Sequence, residues 1–121
     1  MNRISHFELP SNDPAKFKEF YSKVFGWKYQ QWGTEEYFLT QTGSKEEPGI
    51  EGAIMKKKHP EQPVVVSMTV ENLDKCTEDV NSNGGQVVVP KMSVPGMGYL
   101  AYFKDPDGNI VGMMQMDQNA K

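Results

Sequence analysis

The pattern of apolar and polar positions opens with a strand. Over Arg3–Leu9 it has a period of two, with Phe7 and Leu9 on one face and His6 and Glu8 on the other. Pro10-Ser11-Asn12-Asp13-Pro14 stops this strand, and Asp13 is placed to cap a helix whose first residue is Pro14. Phe17, Phe20, Tyr21 and Val24 then recur at helical spacing as one apolar stripe, and Gly26 supplies the left-handed residue that ends the helix. Three short strands follow at Trp27–Trp32, Tyr37–Thr42 and Gly52–Lys57, separated by turns at Gly33-Thr34 and across Gly43–Gly49. Lys58–Pro63 is polar, carries two prolines and reads as a linker.

The order of elements then repeats. Val64–Val70 is a strand, with Val64, Val66, Met68 and Val70 on an apolar face and Val65, Ser67 and Thr69 on a mixed one. Asn72 caps a helix with the stripe Leu73, Cys76 and Val80, and Asn83-Gly84-Gly85 ends it. Strands at Gln86–Val89, Tyr99–Lys104 and Ile110–Met116 complete the second half. Gly85 lies 59 residues after Gly26, and the same offset sets Val65 on His6. A long period with two copies indicates a duplicated module. The expected fold is therefore α+β, a single domain over 1–121 with module one at about 1–58 and module two at about 64–117. Each module is a β-α-β-β-β unit. Together they are expected to form a cupped mixed sheet with the helices outside, because the apolar strand faces must be covered by the helices.

Composition narrows the function classes. The apolar fraction is 37%, and eleven glycines raise it to roughly 46%, within the ordinary globular range. A net charge of −3 and a single short basic run, Lys56–Lys58, exclude a nucleic-acid binder. No long apolar run or N-terminal signal pattern is present, so the expectation is a cytoplasmic protein with no membrane partner. Cys76 stands alone, which excludes an internal disulfide, and its place on the second helical stripe makes it a core residue.

The stretch Pro14–Trp27, with Phe20-Tyr21 followed by Val24-Phe25-Gly26-Trp27, resembles the first helix of the glyoxalase/bleomycin-resistance/dioxygenase (vicinal oxygen chelate) superfamily. Phe103–Asn109 is similar to its final hairpin, and Val94–Tyr99 to a loop of a branch related to lactoylglutathione lyase. The resemblance implies paired βαβββ modules, frequent homodimers, and a site inside the cup. It also implies metal ligands on the first and fourth strands of each module. Carried across, these positions are His6 and a residue at or beside Gly52 in module one, and Val65 and Gly112 in module two. Only His6 is a donor, and one histidine does not make a metal site, so no cofactor is expected.

The cup-facing candidates for ligand binding are His6, Glu8, Trp32, Tyr37, Ser67, Tyr99 and Met114, with His6 and Glu8 the candidates for acid–base work. Tyr99 and Met114 enter through an expected pairing of Tyr99 with Met114 and Ala101 with Gly112. Each has a plainer reading: His6 as a residue satisfied by its neighbours, Glu8 as a rim carboxylate, and the aromatics and methionines as core. Glu51 is expected to point outward, and a shift of its strand by one residue would turn it inward beside His6. Asp105-Pro106-Asp107-Gly108 is a hairpin turn, since it lacks the remaining ligands of a calcium loop. The leading expectation is a protein that binds a small, partly apolar molecule in the cup between the modules, with the metal site largely lost. The alternative is a metal-dependent lyase, lactoylglutathione-lyase-like, or a dioxygenase, using His6 with Glu8 or Glu51. A third is an interaction module whose cup is filled by its own side chains.

Overall fold

A computed structural model describes residues 1–121. The elements run β1 (Arg3–Ser11), α1 (Pro14–Phe25), β2 (Lys28–Gln31), β3 (Tyr37–Gln41), β4 (Glu51–Lys56), β5 (Val65–Thr69), α2 (Leu73–Ser82), β6 (Gln86–Val94), β7 (Gly98–Lys104) and β8 (Ile110–Met116). The chain divides into two compact units, Ser5–Val64 and Val65–Lys121, and Met1–Ile4 counts with the second. Asn2 ties that N-terminal piece down by donating its backbone N–H to the Thr69 carbonyl at 2.7 Å.

In the first unit the strands lie in the order β2-β3-β4-β1. The β1–β4 pair is parallel and the others are antiparallel, as a helical crossover followed by a meander requires. Helix α1 starts where expected. The Asp13 side chain accepts from Lys16 N at 3.3 Å, and Pro14 opens the first turn. It ends on Gly26 at φ 74°, whose N–H donates to the Ser22 carbonyl. Tyr21 stacks on Trp27 at 4.4 Å between ring centres, and Trp27 in turn meets Phe7 on β1. The expected stripe is only half used, since Phe20 and Val24 remain 55% and 56% exposed. The apolar turns of α1 therefore face the sheet through Phe17 and Tyr21. Gly52 sits beneath Phe7, and a Cβ there would overlap both the Phe7 carbonyl oxygen and its ring.

The second unit repeats the layout, with order β5-β8-β7-β6 and a parallel β5–β8 pair. Asn72 caps α2 by accepting from Lys75 N at 3.0 Å. Its core is Val70, Leu73, Ala101 and Met113, with Met68, Cys76, Val80, Tyr99 and Phe103 packed around it. Met68 and Val70 thus pack against the helix as expected, whereas Val66 in β5 and Val64 just before it are exposed. Strand β6 runs five residues beyond its expected end. It absorbs Pro90 through register shifts between Val87 and Val89 and between Val89 and Met92. The Asp105 turn is confirmed: its Oδ1 accepts from Asp107 N and Asn109 N, both at 2.9 Å. No helix is long and apolar enough to cross a membrane.

Candidate functional site

Strand register decides which side chains meet. Across the parallel β1–β4 ladder, His6 is level with Glu51, Phe7 with Gly52 and Glu8 with Ala53. Level residues in a parallel pair point to the same face, so Glu51 shares the face of His6 and Gly52 turns under α1 with Phe7. This corrects the expectation that Glu51 points outward. The antiparallel ladders continue that face through Tyr37, Leu39 and Gln41 on β3 and Lys28 and Gln30 on β2.

An open pocket of about 620 Å³ lies on the first unit. His6, Lys28, Gln30, Leu39, Gln41 and Glu51 are among its lining residues, so charge, amide and one aliphatic surface converge there. Beside it runs a chain of hydrogen bonds. His6 Nε2 lies 3.1 Å from the Tyr37 hydroxyl, and that hydroxyl donates to Glu8 Oε2 at 2.9 Å. Tyr37 and Glu8 are not among the lining residues, so His6 connects the pocket to this pair. Burial pushes the imidazole pKa below its ordinary 6.5, and the Glu8 carboxylate offsets part of that fall. His6 is therefore neutral at pH 7 and able to accept a proton or a hydrogen bond.

The structure gathers His6, Glu8 and Tyr37 from the expected set and adds Glu51. Trp32 lies just past β2, exposed, its N–H donating to the Tyr37 carbonyl at 2.9 Å. Ser67, Tyr99 and Met114 belong to the second unit. There the β7–β8 register is one residue from the expected one, pairing Tyr99 with Gln115, Leu100 with Met114 and Tyr102 with Gly112. Tyr99 consequently packs under α2, with the Lys91 ammonium 4.7 Å from its ring centre, and Met114 faces the opposite side. Ser67 is level with Gly112 and fills the notch that the missing Cβ leaves. Lys28, Gln30 and Gln41 were absent from the expected set. Their alternation with Tyr29 on β2 and Thr40 on β3 was the available signal.

The family resemblance implies a divalent metal, and the donors present do not fit one. On the first-unit ladder the level pair is His6 and Glu51. In the second unit Val66 is level with Val111, so one step back along that ladder Val65 is level with Ile110. The 59-residue offset links His6 to Val65 and Glu51 to Ile110. The positions level with the first-strand ones are therefore Glu51, beside Gly52 as expected, and Ile110 rather than Gly112, and the second pair is wholly apolar. Nowhere do three His, Cys, Asp or Glu side chains come together as a metal would require. Two protein donors fall short of the three that a catalytic zinc site uses.

The chain is 28% identical over 113 residues to a glyoxylase-like domain-containing protein of Didymella fabae, covering 88% of each. It is 27% identical over 119 residues to a protein of Mycobacterium tuberculosis provisionally named glyoxylase CFP32, covering 93% of this chain and 45% of that one. The chain thus spans under half the length of these mycobacterial relatives. In fold it is similar to a glyoxalase/bleomycin resistance protein/dioxygenase superfamily member from Vibrio splendidus 12B01. The TM-score is 0.67 at 16% identity, covering 95% of this chain and 99% of that one. Methylmalonyl-CoA epimerase from Mycobacterium tuberculosis gives TM-score 0.67 at 11% identity, covering 94% and 87%. The family model for the glyoxalase/bleomycin resistance protein/dioxygenase superfamily matches residues 3–113, and the chain belongs to that superfamily.

Proposed function

We propose that this chain binds a small, partly apolar molecule in the pocket beside His6, without a tightly held metal. The observation that carries the reading is the convergence of His6, Glu51, Lys28 and two glutamines around Leu39 in a cavity of about 620 Å³. That volume lies within the range of small-molecule sites, and a few polar groups around an apolar patch are what fixes a ligand's orientation. A pair of donors suits hydrogen bonding better than coordination, which calls for a third protein ligand. Chemical-shift mapping against a panel of small aromatic and carbonyl compounds tests it. Saturable shifts at the backbone amides of Gln30, Gln41 and Glu51 are expected. A panel that leaves those amides unmoved sinks the reading.

A second reading is favoured by the level placement of His6 and Glu51, an imidazole and a carboxylate on neighbouring strands. In it the chain is a metal-dependent lyase or dioxygenase whose remaining ligands come from substrate or water. Metal retention separates the two readings.

A further inference from the structure

We infer that Tyr37 and Glu8 hold His6 in one tautomer, proton on Nε2 and lone pair on Nδ1, so that the pocket selects small molecules carrying a hydroxyl donor. This rests on the reading of the pocket as a binding site. The deduction is one of donors and acceptors. A carboxylate has no proton to give, so Glu8 only accepts. The Tyr37 hydroxyl carries a single proton, and at 2.9 Å it donates that proton to Glu8 Oε2. Its oxygen is then an acceptor toward His6 Nε2 at 3.1 Å, and the bond forms only when Nε2 carries the ring proton. The other tautomer would set two lone pairs against each other at that distance. A neutral imidazole with its proton on Nε2 has its lone pair on Nδ1. Nε2 is committed to a hydroxyl outside the pocket lining, while His6 itself lines the pocket. The nitrogen left for a ligand is an acceptor.

Two features set the ligand class. The acceptor asks for an O–H donor, and Leu39 between Gln30 and Gln41 asks for an apolar body behind it. A phenol has both, and its methyl ether, anisole, has the same body without the donor. Tyr37 and Glu8 are positioning residues here, since they act through His6.

The test uses the intact ¹⁵N-labelled chain near neutral pH, with long-range ¹H–¹⁵N correlation of the imidazoles. The chain has only two histidines, and His6→Gln identifies the His6 signals. The expected spectrum has a protonated Nε2 and an unprotonated Nδ1. Tyr37→Phe, which removes the acceptor, is expected to move the ring toward a mixture. Glu8→Gln, whose amide oxygen still accepts from Tyr37, is expected to retain the wild-type tautomer. Phenol is then expected to shift Nδ1 and to bind at least tenfold more tightly than anisole, a preference lost in His6→Gln. A proton on Nδ1, or a mixture in the wild type, overturns the inference whatever binds. The expected tautomer with equal phenol and anisole affinity overturns the ligand class. Silence of every pocket amide toward both compounds overturns the ligand class together with the binding reading. Should Tyr37→Phe fail to fold by circular dichroism, the wild-type and Glu8→Gln spectra decide.

Discussion

His6 is a half-buried base whose surroundings favour its neutral form, and that preference has a consequence for stability. Its folded pKa lies below the unfolded value of about 6.5, because burial outweighs the attraction of Glu8. The native state therefore binds this proton less readily than the unfolded chain does. The contribution is fully present above about pH 6.5 and is lost as pH falls through the lower folded value. The charged groups on the same face, Glu8 and Glu51 against Lys28, remain in place in a His6→Gln variant. Urea unfolding of wild type and His6→Gln across mildly acidic pH is thus expected to show a steeper loss for the wild type. Parallel curves would mean that His6 protonates freely in the folded state. Its sharing of a face with Glu8 was legible in the sequence, since β1 alternates cleanly, whereas Tyr37 was expected there as a stacking surface and not as its hydrogen-bond partner. Glu51 was not legible. The four residues Gly52–Met55 after it are all buried, on both faces, so period two leaves no trace of which side is which.

At the scale of elements, the helices were the most readable parts, because their ends are written in residue types with a single use. Asp13, Pro14 and Gly26 bracket α1, and Asn72 opens α2. The Asp13 carboxylate serves Lys16 N, a backbone donor with no partner inside the helix. Asp13→Ala is expected to cost about 1 kcal/mol of unfolding free energy, and Asp13→Asn much less. Equal losses for the two, by chemical denaturation, would show that charge rather than the hydrogen bond matters there. Strand pairing was harder to read. The β7–β8 hairpin was off by one because Ile110–Met116 is apolar almost throughout, so neither face of the strand announces itself. The true register is set by packing: Met113 and Ala101 are level and enter the core under α2, and Gly112 leaves room for Ser67. In β6 the proline argued for an early stop, and the bulges that accommodate it are not visible in composition.

At the scale of the whole molecule, one offset relates two units that have kept their architecture and parted in chemistry. His6 and Glu51 in the first correspond to Val65 and Ile110 in the second, a donor pair against an aliphatic pair. Each missing donor weakens coordination steeply, since a divalent ion must give up hydration that protein ligands would replace. The chain incubated with Zn²⁺, Ni²⁺ or Fe²⁺ and then desalted is therefore expected to retain far less than one equivalent by elemental analysis. Loosely held metal on the remaining pair is expected to wash away, and His6→Ala or Glu51→Ala to change little. Near-stoichiometric retention abolished by either substitution would reverse the choice between the two functional readings. It would mean that two protein donors, completed by water or by a bound oxygen ligand, suffice to hold the ion.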